Sequence, residues 1–421
     1  MASLNLPTRG SRWRSIVAIV LLAFTLRVAG AFIAGHGSPS VAQGYQYYLE
    51  MADNVAEGRG FFRTMPFGQG ESRAIRTPGY VLVLAALKAL PIDSSIAIAL
   101  FGICCGTLTV LFATLLAMRA LGTRAGLIAG IALACWPMAI IHDSALQDTA
   151  LYTMLFIGLA GLAHRLTEEA RRGDAWRAVV LGLVAAAAVL VRVALLPTAI
   201  ILCAWVLLSA RPAKQRVLLA LVALVALQVG LAPWRVRNAR VIGSPVLTSD
   251  SGRSLWLGNN PQTFSVYPKQ SIDRAEERAW TALPEETRAH VRQAPSELAR
   301  DAWFRDEALR FIRANPGGAF LGGARKAWAT FSPWYSPEGS LLKQVLHVVS
   351  YAPVAVLALL AGWRRRRERL TWMVFTCAGL LALQSAVYFG HSGYRAYIDP
   401  LLIILAASWF IPRGEISERA S

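Results

Sequence analysis

Apolar runs separated by short polar stretches set the plan of the chain. Runs at 15–34, 95–117, 124–141, 149–164, 176–191, 194–209, 216–233, 344–362, 370–389 and 396–411 approach or reach the ~20 residues a helix needs to cross a bilayer. Backbone polar groups in lipid must be satisfied within their own segment, so such runs predict helices. The stretch PGYVLVLAALKALP at 78–91, roughly 14 residues, is too short for a full crossing. Between the runs, 45–57 places Tyr48, Met51, Ala52 and Val55 at helical spacing, with Glu50, Asp53 and Glu57 on the other side. That pattern suits a helix lying along the membrane surface. Trp303, Phe304, Ala308, Phe311 and Ile312 form a second stripe, which Asn315-Pro316-Gly317 closes. The stretch 244–300 is rich in turn residues and shows no clear period.

Composition agrees with a membrane protein: 421 residues, 55% hydrophobic, and a mean hydropathy of +0.44. The net charge of +18 gathers in short clusters between apolar runs, as topology signals do, and not in a stripe for nucleic acid. If 78–91 does not cross, the basic N-terminus, MRALGTR, HRLTEEARRGDAWR, ARPAKQR and WRRRRER all fall on one side. The positive-inside tendency makes that side cytoplasmic, so 78–91 reads as re-entrant or interfacial. The N-terminal run has no small-residue cleavage site and reads as an uncleaved span. The expected fold is thus all-α and polytopic: about ten transmembrane helices, both termini cytoplasmic, a re-entrant or interfacial helix and a long extracytoplasmic loop. Its parts are an N-terminal transmembrane module at 1–233 with a first outer loop at 35–94, a loop region at 234–343, and C-terminal helices at 344–421. Cys104, Cys105, Cys135, Cys203 and Cys377 lie in apolar runs without metal-ligand spacing, so they read as small hydrophobes, with no metal site.

Polar residues that are poor topology signals collect on the outer face. Arg192 interrupts AAAAVLVRVALLPTAIIL, where a charge is costly unless it snorkels or pairs. It reads either as a snorkelling residue or as a grip on an anionic lipid head, for which a guanidinium fork is suited. Arg235 and Arg237 in LAPWRVRNARVIG pose the same choice on the side that disfavours positive charge, with Asn238 beside them. Asn259 and Asn260 of LWLGNNP sit in a turn-forming sequence. Arg395 and Asp399 are spaced for a helical salt bridge. Among the outer carboxylates Glu50, Asp53, Glu57, Glu71, Asp143 and Asp148, the last two lie close to the membrane, where burial raises a carboxylate toward a useful base.

These residues occur in an order that resembles a known family. APWRVRNARVIGSPVLTSDSGRSLWLGNNP, YLEMADNVAEGRGF, RTPGYVLVLAAL, DSALQDTAL, LVRVALLP and GYRAYIDP are similar to motifs of C-type, polyprenyl-phosphate-dependent glycosyltransferases. These are relatives of the protein O-mannosyltransferases and lipid A aminoarabinose transferases. The resemblance implies an enzyme of the bacterial cytoplasmic membrane. Such an enzyme moves a sugar from a polyprenyl-phosphate donor to a glycan, lipid or protein acceptor on the extracytoplasmic face. It implies Arg192 and Arg395, with Arg235 or Arg237, at the lipid phosphate. Tyr48, Asn238, Asn259 and Asn260 would support the loop or the sugar. The family's usual aspartate four residues before Tyr48 is Gly44 here. On a helix presenting Tyr48 inward, Asp53 points about 140° and Glu50 about 200° away, so Asp148 is the favoured carboxylate and those two are weaker candidates. A divalent cation is compatible with the acidic loops, but no ligand set is visible, and no cofactor is named. Two other readings stay open: a non-catalytic lipid-binding or assembly protein of this fold, and a transporter or flippase of anionic lipid. The latter would show paired half-helices, and 78–91 has no second copy.

Overall fold

In a computed structural model the described residues are 9–34, 45–168 and 173–412. The helices are α1 (Arg9–Ala34), α2 (Tyr47–Ala56), α3 (Gly79–Lys88), α4 (Ser94–Leu121), α5 (Thr123–Ala134), α6 (Pro137–Asp143), α7 (Thr149–Glu168), α8 (Asp174–Val191), α9 (Leu196–Ala204) and α10 (Ala213–Ile242). The outer loop adds α11 (Ser251–Gly258), α12 (Ile272–Thr281), α13 (Glu285–Arg292), α14 (Glu297–Ala314) and α15 (Pro316–Phe331), before α16 (Leu341–Arg364), α17 (Arg369–Val387) and α18 (Asp399–Ala407). A two-stranded antiparallel hairpin, β1 (Arg63–Thr64) and β2 (Glu71–Ser72), pairs Arg63 with Ser72.

The protein is a multi-pass, almost entirely helical membrane protein. All the expected apolar runs are helical, but they are not ten full spans. Among the described residues seven helices (α1, α4, α7, α8, α10, α16 and α17) are long and apolar enough to cross alone, or eight if one bent pair counts as a span. That pair is α5 and α6, bent by 58°. Trp136 precedes Pro137, and the proline ring disfavours the α region for the residue before it. Trp136 is accordingly extended, at φ −69° and ψ 110°. The runs 194–209 and 396–411 yield the short apolar helices Val193–Leu208 and Asp399–Phe410. Segment 78–91 forms only α3, packed beneath α2 by the Tyr48 and Tyr80 rings at 5.0 Å.

The expected division at 233/234 falls inside α10, which runs through Pro233 to a left-handed Gly243. The reason is packing. Leu227, Leu231, Trp234 and Asn238 are all buried and continue one face across the proline, so burial outweighs the lost backbone bond. Segment 244–300 is helical too, in the short pieces α11, α12 and α13. Together with α14 they enclose a second small core of Trp256, Ile272, Trp280, Val291, Phe304 and Ala308. The expected stripe on α14 is buried at Phe304 and Ala308, and Asn315 caps the next helix by accepting from the Gly318 amide at 3.0 Å.

Candidate functional site

The site begins where α8 breaks. Arg192 is extended, at φ −144°, and turns its side chain toward the start of α7. There its Nη1 donates to both carboxylate oxygens of Asp148, at 3.0 and 3.2 Å. The hydroxyl of Tyr48, from α2, donates to the same carboxylate at 3.1 Å. Asp148 is 1% exposed, and a buried carboxylate is tolerated only when paired and hydrogen-bonded in this way. The Arg192 guanidinium also lies 5.1 Å from the Tyr152 ring and 5.0 Å from the Tyr394 ring. Three segments far apart in sequence thus converge on one ion pair walled by tyrosines. His391 next to it stays neutral, its pKa pushed down to about 3 by burial and by Arg192, and its Nδ1 accepts from the Gly393 amide.

A second pair of arginines stands over Tyr47. The guanidinium carbons of Arg63 and Arg76 lie 4.2 and 5.3 Å from that ring. Arg76 donates to Asp250 at 2.5 Å, Arg253 donates to the same carboxylate at 3.1 Å, and Arg253 reaches Glu276 at 2.5 Å. Burial drives the Asp250 carboxyl upward, yet Arg76 and Arg253 together hold it below its ordinary value. Arg63 keeps a buried Nε without a hydrogen-bond partner, and burial with the nearby Arg76 lowers its pKa. Sequence reading passed over Arg63 and Arg76. Arg76 stands in the quoted RTPGY stretch, but nothing local distinguishes it from a solvated loop charge.

The remaining expected residues divide plainly. Glu50 accepts from the Thr64 amide at 2.9 Å and Asp53 pairs with Lys88; neither reaches Asp148, as the helical wheel requires. Arg395 is wholly buried. It is committed to Asp399 at 2.7 Å and the Thr330 carbonyl at 2.9 Å, over the Tyr351 ring at 3.2 Å. Arg235 donates to Gln228 at 2.9 Å. Arg237 ties down the first loop through the carbonyls of Arg73 at 2.6 Å and Phe61 at 3.1 Å. Asn238, fully buried, donates to the Val246 carbonyl at 2.8 Å. Asn259 donates to the Leu255 and Val387 carbonyls at 2.8 Å, and Asn260 to Trp256 at 2.7 Å. Asn238 and Asn259 hold the long loop onto α10 and α17, and Asn260 closes the turn within it. Gly44 lies outside the described residues.

Asp143, the other membrane-side acid, is not part of this cluster: it accepts from Arg27 Nε at 2.7 Å, both buried. That pair and Arg395–Asp399 face a common internal cavity with Trp136 and His347. Among the described residues no group of three or more His, Cys, Asp or Glu side chains converges.

No family model and no curated protein sequence matches the chain. Solved structures do. The apo oligosaccharyltransferase of Archaeoglobus fulgidus aligns over 95% of this chain and 50% of its own, with a TM-score of 0.59 at 15% identity. The same organism's oligosaccharyltransferase AglB, in complex with an inhibitory peptide and a dolichol-phosphate, aligns over 94% and 50%, with a TM-score of 0.56 at 13% identity. The chain therefore shares their fold and spans about half their length. ArnT from Cupriavidus metallidurans in the apo state aligns over 96% and 78%, but with a TM-score of only 0.41 at 13% identity, too low to support a shared fold.

Proposed function

We propose that the chain transfers a sugar from a polyprenyl-phosphate donor to an acceptor hydroxyl or amine on the outer face of a bacterial cytoplasmic membrane, with both termini inside. The observation that carries this reading is the Asp148–Arg192 pair, held by Tyr48 beneath the outer loop, in a fold shared with an oligosaccharyltransferase. The neighbour in complex with a dolichol-phosphate supports the donor class. Arg192 is the cation for the lipid phosphate; its side chain keeps 25% of its exposure. Arg63 and Arg76 add positive charge on the same outer side. Arg395 has no free donor face and serves as a structural member instead.

The geometry suits an exchange of partners. With no donor, the Arg192 guanidinium is occupied by both oxygens of Asp148. An arriving phosphate competes for the guanidinium, and the carboxylate it gives up is freed to take a proton from the acceptor. The acceptor oxygen or nitrogen then attacks the anomeric carbon and its proton passes to Asp148. The bond from that carbon to the phosphate oxygen breaks, and the lipid phosphate leaves onto arginine, which stabilises its developing charge.

The test is transfer from radiolabelled polyprenyl-phosphate sugars in membranes. Asp148→Asn is expected to lower turnover by roughly 100-fold or more, the contribution of a positioned base, while donor binding survives. Arg192→Lys is expected to weaken donor binding and turnover together, because lysine lacks the fork. Donor binding without transfer by the wild type, across a broad panel of donors and acceptors, would overturn the catalytic reading and leave a lipid-binding protein, consistent with Gly44.

A further inference from the structure

Helix α15 is built the wrong way round for a helix in water. Its inward face carries Gly322, Gly323, Lys326, Ala329 and Thr330, all buried. Its outward face carries Phe320, Leu321, Ala324 and Trp328, positions that fall on one side at helical spacing. Phe320 is 83% exposed and Trp328 63% exposed, while the lysine between them is fully buried. An apolar stripe of this size does not stay in contact with water on a soluble surface. It is continuous with surfaces already assigned to lipid. α15 packs along α17, with Gly323 set close to the Ala386 carbonyl. After α15 the chain passes through the exposed Trp334 and enters α16, whose Leu341, Leu342, Val345 and Val349 are also exposed.

We infer that α15 is seated in the outer leaflet, its Phe320–Trp328 face buried in lipid at the level of the outer ends of α16 and α17. The occupant is the bilayer itself. Tryptophan belongs at that depth, with its ring apolar and its N–H wet, and Arg325 at the edge of the stripe lies 5.1 Å from the Phe264 ring, its charge kept out of the hydrocarbon. The seating matters for the site. From its inward face α15 sends Lys326 to Gly258 and Asn259 of the loop, and its Thr330 carbonyl accepts from Arg395. The membrane surface thus fixes the height of the loop above the Asp148–Arg192 pair.

The experiment uses the full chain in lipid nanodiscs, with Cys104 and Cys135 replaced by alanine, and spin labels on Phe320→Cys, Trp328→Cys, Val349→Cys or Glu286→Cys. Oxygen and a soluble nickel chelate compete to relax each label. Phe320→Cys and Trp328→Cys are expected to favour oxygen, as Val349→Cys in the span does, while Glu286→Cys on the exposed face of α13 favours nickel. Preference for nickel at both α15 positions overturns the proposal. Exclusion of both reagents, with dipolar broadening between labels, overturns it in favour of a second copy of the chain. Should the cysteine variants fail to assemble, brominated lipids give a second readout on native tryptophan. Trp328→Phe is expected to remove a measurable share of the quenching, and an unchanged quench overturns the seating.

Discussion

Lys326 shows how a single residue can be buried without a carboxylate. Its Nζ donates to the Gly258 carbonyl at 2.9 Å, Asn259 Oδ1 at 3.1 Å and the Val387 carbonyl at 3.3 Å. Gly258 ends α11 and Val387 ends α17, so the ammonium sits between two helix C-termini, where unpaired carbonyls and the negative ends of two dipoles meet. Lys326→Met is expected to cost about 1–3 kcal/mol by leaving those acceptors unmet, measured as denaturant or thermal unfolding in detergent. Burial lowers the lysine pKa to about 8, from 10.5. Between those values the unfolded chain binds more protons than the folded one, so the stability difference between wild type and Lys326→Met should grow as pH rises from 8 to 10.5. It should be at its smallest below pH 8. Arg395→Met is expected to destabilise by about 3–5 kcal/mol, since it strands a buried Asp399. Arg192 was legible in the sequence because a charge in an apolar run demands a partner. The same argument could not tell Arg395 from Arg192: a structural partner and a ligand satisfy it equally. Only the folded chain shows which guanidinium keeps an open side.

Among elements, the legible ones were those with a long, single period. Every apolar run became helix, and the 78–91 stretch became α3 because its length is set by residue count alone. The outer loop was illegible for the opposite reason. α11, α12 and α13 have 8 to 10 residues each, too few turns for a period to stand out from the turn residues between them. Their helicity comes from packing around Trp256, Trp280 and Phe304, which tertiary structure supplies and a local window does not. The break between α5 and α6 could have been read from Pro137. Gly258 is the tightest join of the loop to the helices: a Cβ there would lie 1.5 Å from the Tyr388 carbonyl oxygen, against backbone that cannot rotate away. Gly258→Ala is therefore expected to undock 244–340 while the spans stay inserted. Limited proteolysis of intact membranes should cut that segment sharply faster than in the wild type.

For the whole molecule, the sidedness derived from basic clusters makes a clear experimental demand. In a background with Cys104 and Cys135 replaced, Glu286→Cys should react with an impermeant maleimide on intact cells. Arg366→Cys should react only after the membrane is opened. Labelling in the reverse order would turn the protein over and put the Asp148–Arg192 pair on the cytoplasmic side. The buried apolar residues among those described fall into two clusters. One core fills the helical bundle and the other, far smaller, belongs to the outer loop. The shared fold with a longer oligosaccharyltransferase accounts for nearly all of this chain.

The continuation of α10 beyond Pro233 has a mechanical consequence. Its last turns hold the first outer loop through Arg237 and the long loop through Asn238 and the Trp234 indole, which donates to the Leu247 carbonyl at 2.9 Å. Both outer loops are therefore tied to one post, rooted among the spans and tightly seated on α8, where a Cβ at Gly182 would lie 2.1 Å from the Ala223 carbonyl oxygen. A displacement of either loop would load the post that carries the other. A tilt of that single rod would carry both loops with it.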